Sequence, residues 1–199
     1  MEKKRFAFKE VPVEIRCALF KGKEGINEYH LSFSPIKRES FQMQLKWIYE
    51  AYIKTLEILN IEEETCVFRR FFCSDLYNQL IYLKEMDFSN PENNSNLVGI
   101  SLICQPPGPF ARISMWAYHV KDNKKNIEKE KMGNTISLKR DNLIHNWTTG
   151  LFNNKLDSVY EQTKNIIETY LNLLKEKNMK LSENVIRTWF FLKNIDTDY

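Results

Sequence analysis

The sequence predicts an α+β fold: one complete ββαβαββ unit followed by the first part of a second copy, ββαβ. Three observations predict it. The first is an internal repeat. Displaced by 118 positions, the chain aligns Ser158, Gln162, Lys164, Ile166, Glu168, Tyr170, Leu174, Asn178, Val185, Arg187 and Phe190 with Ser40, Gln44, Lys46, Ile48, Glu50, Tyr52, Leu56, Asn60, Val67, Arg69 and Phe72. At a chance rate of roughly one identity in twenty positions, this gap-free window would hold about two. The second observation is periodicity: short apolar runs alternate with period two, and two long segments carry apolar residues every three or four positions. The third is composition. With 43% hydrophobic and 28% charged residues in 199 positions, the chain resembles an ordinary globular protein and can bury a sizeable core.

The first unit is expected over residues 1–121. Residues 11–20 alternate apolar with mixed side chains and read as a strand; Gly22 to Gly25 turn the chain; Tyr29 to Phe33 begin a second strand. Ser40 is placed to cap a helix, because its hydroxyl can accept from an unpaired N–H of the first turn. Phe41, Leu45, Ile48, Tyr52, Leu56 and Leu59 line one face of that helix. Asn60 marks its end, since asparagine tolerates the left-handed conformation. Cys66 to Cys73 form a strand with Val67, Arg69, Phe71 and Cys73 on one side and Cys66, Phe68, Arg70 and Phe72 on the other. Large apolar groups on both sides require cover on both faces. Ser74-Asp75 offers the cap for a helix from Leu76 to Met86, and strands follow at 97–104 and 110–120.

Residues 122–131 are expected to be a charged, solvated connector. The second unit then spans 132–199. Thr135 to Lys139 and Leu143 to Phe152 pair as a hairpin, and Ser158 with Glu161 forms a capping box. Val159, Ile166, Tyr170 and Leu174 line the helix, Asn178 repeats the stop, and residues 184–192 repeat the strand. Asn194 to Asp196 repeat the exit towards a second helix. Counterparts of that helix and of the last two strands do not follow, so the chain is expected to be part of a longer protein or to have its sheet completed by another chain.

A formal charge of +3, with lysines and glutamates interspersed, argues against a nucleic-acid partner. No apolar run approaches the ~20 residues that span a bilayer, so no membrane partner is expected and the expected compartment is the cytoplasm. Cys17, Cys66, Cys73 and Cys104 lack metal-ligand spacing and are expected to be buried, reduced thiols. His30, His119 and His145 are scattered and receive no catalytic part. Neither a metal site nor a cofactor is expected.

The hairpin, the helix with Gln near its start, and the run Val185-Ile186-Arg187-Thr188-Trp189-Phe190-Phe191-Leu192-Lys193-Asn194-Ile195 together resemble the RidA family, also called YjgF or endoribonuclease L-PSP. An older label of that family is translation initiation inhibitor. Glu161-Gln162-Thr163 adds to the likeness, and Arg187-Thr188-Trp189 with two tandem units is similar to the chorismatase branch. The resemblance implies a chorismate-mutase-like fold, assembled as a trimer or as a pseudo-oligomer of tandem units. It also implies a small carboxylate, chorismate-like or an imine acid, as the substrate of the enzymatic members.

Those members grip the carboxylate with an arginine at the start of the fourth strand and handle a water proton with a glutamate on the last. Here the resemblance places these positions near Val98 and near Ser114 or Trp116, none of which can do that work. The first unit is therefore expected to be non-catalytic, with no catalytic residue in this chain. A purely structural or ligand-binding module is the alternative; a ribonuclease is a weaker one. Three residues remain as ligand-binding candidates. Arg187 occupies the repeat position of Arg69 and could bind an anion, although an arginine on a strand more often pairs with a carboxylate in a packing interface. Thr149 and Gly150 sit where the family places Ser-Gly at its cleft; a strand end with a glycine bulge is the other reading.

Overall fold

A computed structural model describes residues 1–93, 97–124 and 126–192. It is a mixed α+β structure with two compact units, Met1–Gly150 and Leu151–Tyr199. In the first, β1 (Glu2–Phe8), β2 (Val11–Lys21) and β3 (Ile26–Pro35) form an antiparallel meander. Helix α1 (Phe41–Leu59), β4 (Cys66–Cys73), α2 (Leu76–Lys84), β5 (Gly99–Cys104) and β6 (Ile113–Asp122) follow. The six strands make one mixed sheet in the order β1-β2-β3-β6-β4-β5, with β4 and β5 parallel. A second, three-stranded antiparallel sheet holds β7 (Glu128–Met132), β8 (Thr135–Arg140) and β9 (Leu143–Thr148).

The helices cover one face of the large sheet. Leu45, Ile48, Ala51, Tyr52 and Leu56 of α1 pack on Ile15, Leu31, Phe33 and Met115, all essentially buried. Each large apolar side chain enclosed in this way stabilises the fold by roughly 1.5–3 kcal/mol. The small sheet contributes to a separate core, in which Ile136 and Leu138 join Val67, Phe68 and Tyr118. Trp147 of β9 packs its ring, tilted, against Tyr118 at 4.9 Å and Phe68 at 5.8 Å between centroids. The two-sided cover demanded by β4 is thus supplied within one unit.

Several expectations are corrected. Residues 2–8 form a strand that the Lys3-Lys4-Arg5 run concealed; those charges suit an edge strand, which needs protection from further pairing. Residues 128–132, read as solvated connector, form β7, whose alternation turns Lys129 and Lys131 inward and Glu128 and Glu130 outward. In β4, a register shift between Cys66 and Phe68 breaks strict alternation. Cys66 therefore joins the helix-side core, while Val67 joins Phe68 on the other side. Cys104 is exposed, unlike the other three cysteines.

In the second unit, α3 (Val159–Glu176) has Ser158 as its cap, accepting from the Glu161 N–H at 3.1 Å. A short turn of helix, α4 (Leu181–Asn184), follows, and residues 185–192 take no regular secondary structure. The strand expected over 184–192 is not formed. Its repeat counterpart, β4, is a strand held on both sides, by β5 and by β6. The expected exit at Asn194 to Asp196 lies outside the described residues. No helix among the described residues is long and apolar enough to cross a membrane.

Candidate functional site

The sheet order brings the C-terminal end of β6, the start of β4 and the inward side of β7 to one place. A cleft of about 840 Å³ opens there, bounded by Glu62 to Thr65, Met86 to Phe88, Leu97, Val98, Lys121, Asp122, Ile127 and Lys129. Its floor is Arg69. This arginine is 1% exposed, lies 4.6 Å above the Phe88 ring and 4.9 Å above that of Tyr52. Its guanidinium donates to Glu63 Oε1, to the Phe88 carbonyl at 3.0 Å and to the Tyr52 hydroxyl at 3.2 Å. A buried guanidinium persists only with such compensation, and most of its fork is thereby occupied.

Behind Arg69 the network continues. The Tyr52 hydroxyl lies 3.2 Å from His119 Nε2, and Thr65 Oγ1 lies 2.9 Å from His119 Nδ1. His119 is fully buried. Burial, and then the charges of Arg69 and Lys129, depress its pKa to about 3, so the imidazole is neutral.

Lys129 enters from β7. Its Nζ donates to the carbonyls of Glu64, at 2.8 Å, and of Cys66. Among the described residues it has no carboxylate within ion-pair distance. Burial drives its pKa down to about 8; Cys66 opposes the shift and Arg69 adds to it. Nothing in the sequence marked Lys129 or His119 as special, although the Glu-Lys-Glu-Lys alternation of 128–131 carried the signal that lysines point one way and glutamates the other.

The residues singled out from sequence fall in different places. Thr149 is nearly buried and its side chain packs on Gly99, where an added Cβ would lie 2.6 Å from Thr149 Oγ1. Gly150 has φ 65°, and a Cβ there would meet the Ile100 carbonyl at 2.9 Å; glycine is required by the close approach and by the left-handed backbone. Asn134 fastens the pair by donating to the Thr149 carbonyl at 2.9 Å. The chain closes against β5 here, with a glycine just past the end of β9. Arg187 belongs to the second unit, is exposed, and stacks on Trp189 at 5.4 Å. Val98 forms part of the cleft wall, while Ser114 and Trp116 are half-buried on β6.

Five carboxylates border the cleft against three cations. Two carboxylates are already engaged, Glu63 by Arg69 and Asp122 by Arg140 at 3.4 Å. The remaining carboxylates, Glu62, Glu64 and Asp87, outnumber the remaining cations, Lys121 and Lys129, so the balance is mildly acidic and disfavours an anionic ligand; the wall mixes polar and apolar groups. Among the described residues no cluster of His, Cys, Asp or Glu is placed to hold a metal. No family model, no curated protein and no solved structure matches this chain.

Proposed function

We propose that this chain is a tandem RidA-like protein whose first unit builds structure and assembly surface without turning over substrate. The small carboxylate of the parent activity would then be gripped by the second copy, through Arg187. The observation that carries this reading is the contrast between two arginines at one repeat position. Arg69 is sealed under aromatic rings and paired with Glu63, whereas Arg187 is exposed and has no ion pair among the described residues.

Three further features support it. The sheet order β1-β2-β3-β6-β4-β5, with both helices packed on one face, accommodates the expected ββαβαββ unit with one strand added at its start. The front of that unit recurs: an antiparallel three-strand meander and a serine-capped helix occupy both 2–60 and 128–178. Finally, the positions where the enzymatic relatives carry arginine and glutamate hold Val98, Ser114 and Trp116. An apolar side chain cannot grip a carboxylate bidentately, and neither serine nor indole replaces a carboxylate base.

The test is turnover. Purified chain is incubated with chorismate, followed by loss of its ultraviolet absorbance, and with 2-aminoacrylate generated in situ, followed by ammonia release above the spontaneous rate. The expected result is no acceleration of either. Acceleration that disappears on substituting a first-unit residue such as Tyr52 or Glu63 would overturn the reading.

A further inference from the structure

We infer that Lys129 is a carbonyl-capturing amine, forming a reversible imine with a small uncharged aldehyde or ketone held in the cleft of the first unit. This inference stands on that cleft and does not rest on the RidA-like reading.

The geometry comes first. Lys129 sits on the inward side of β7, at the wall of a cavity large enough for a small organic molecule. Its Nζ is held by two neutral carbonyls, those of Glu64 and Cys66. A neutral amine has two N–H donors, so both bonds survive deprotonation, and the lone pair takes the direction the third N–H held. Amines enclosed among apolar groups beside another cation are the kind that attack carbonyl carbon at neutral pH. Here Ile127, Leu138 and Val98 are apolar groups of the same cleft, and the cation is Arg69.

The chemistry needs no external reagent. The Nζ lone pair forms a C–N bond to the carbonyl carbon, and a proton from nitrogen passes to the carbonyl oxygen. The resulting hydroxyl then leaves with the second nitrogen proton as water, and the C=N bond forms. Hydrolysis reverses the sequence. Protonation of the imine nitrogen by solvent restores one N–H, which donates to one of the two carbonyls. Ligand class follows from the walls: the mildly acidic balance set by Glu62, Glu64 and Asp87 disfavours keto acids, whereas the apolar groups of the lining suit an uncharged carbonyl compound.

Groups facing Lys129 from each neighbouring element set its pH response. Glu64 on the preceding turn and Cys66 on β4 favour the charged amine, while Arg69 on β4 and Lys131 on its own strand oppose it. On β6, Lys121 and Asp122 carry opposite charges, and Glu63 is engaged by Arg69.

The experiment is reductive trapping of the intact chain with benzaldehyde and sodium cyanoborohydride, read by peptide mass spectrometry as a function of time and pH. Lys129 should be benzylated at least about tenfold faster at pH 7.5 than exposed lysines such as Lys46 and Lys164, as expected for an amine with a pKa near 8 rather than the usual ~10.4. Its rate should level off above about pH 9. Glyoxylate should label it more slowly than benzaldehyde. Lys129→Arg should lose the fast site and keep the fold, judged by circular dichroism. Labelling of Lys129 no faster than that of Lys46, or without a plateau, would overturn the inference in the wild-type protein itself, whatever the variant does. Equal trapping of glyoxylate would overturn the uncharged ligand class.

Discussion

Gln44 and Gln162, one in each unit and 118 positions apart, do the same job: each side-chain amide donates to a carbonyl just upstream of its helix cap. Gln44 Nε2 reaches the Lys37 carbonyl at 2.8 Å, and Gln162 Nε2 reaches that of Leu156 at 2.6 Å. The likeness extends down both helices. Ser40 and Ser158 cap them, and Lys46–Glu50 and Lys164–Glu168 make the same surface pair at 3.9 and 4.0 Å. Both end alike, the Ile61 N–H donating to the Leu56 carbonyl at 3.0 Å and the Met179 N–H to the Leu174 carbonyl at 2.8 Å. Identical positions thus perform identical local tasks.

Gln44 does more than its counterpart. It is fully buried, donates also to the Phe110 carbonyl at 2.9 Å, and accepts from the Arg112 N–H at 2.7 Å. Gln44→Leu should therefore strand three backbone groups and cost about 2–4 kcal/mol, against about 1 kcal/mol for Gln162→Leu. Urea denaturation gives the cost, and hydrogen exchange should show the Arg112 amide losing protection only in the first variant.

Asn60 and Asn178 hold φ of 51° and 54°, a conformation in which a Cβ is strained. Asn→Gly at either site should be neutral or stabilising by up to about 1 kcal/mol, and Asn→Ala destabilising by about 1 kcal/mol. Thermal melts of the four variants check both signs, and the two sites should behave alike.

The buried ion pair makes an asymmetric prediction. Glu63→Ala leaves the Arg69 guanidinium buried without its carboxylate and should cost about 3–5 kcal/mol. Arg69→Met leaves Glu63, whose side chain is 43% exposed, free to be solvated, and keeps an apolar stem against Tyr52 and Phe88. It should cost distinctly less. Urea midpoints of the two variants decide; equal losses would mean that the pair contributes little beyond packing.

His119 supplies a pH dependence. Its pKa is 6.5 when unperturbed and about 3 in the fold, so between these values the unfolded chain binds more protons than the native one. Stability should therefore be full above about pH 6.5 and fall as pH drops towards 3, by at most about 1.4 kcal/mol per pH unit. His119→Gln should show a flatter acid limb in thermal melts taken between pH 7 and pH 4.

Much of the architecture was legible because its signals are local. Ser40, Asn60 and Ser158 act through their own turn, and the helix faces through their own period. What escaped was decided between distant residues. The bulge that exchanges Cys66 and Val67 between faces has no local signature, nor does the fate of residues 185–192, which carry a strand pattern but take no regular secondary structure. Lys129 escaped because a lysine in a Glu-Lys run reads as solvated unless its strand is known to lie against a core. The pairing of a strand arginine with a carboxylate, weighed for this repeat position, is met at Arg69, although Glu63 could not be named from sequence.

The contrast between Arg69 and Arg187 is tested most directly by calorimetric titration of the chain with chorismate. The account predicts binding that weakens at least about tenfold, about 1.4 kcal/mol, in Arg187→Ala and is unchanged in Lys129→Arg. Binding indifferent to Arg187, or lost instead with Lys129, would contradict it.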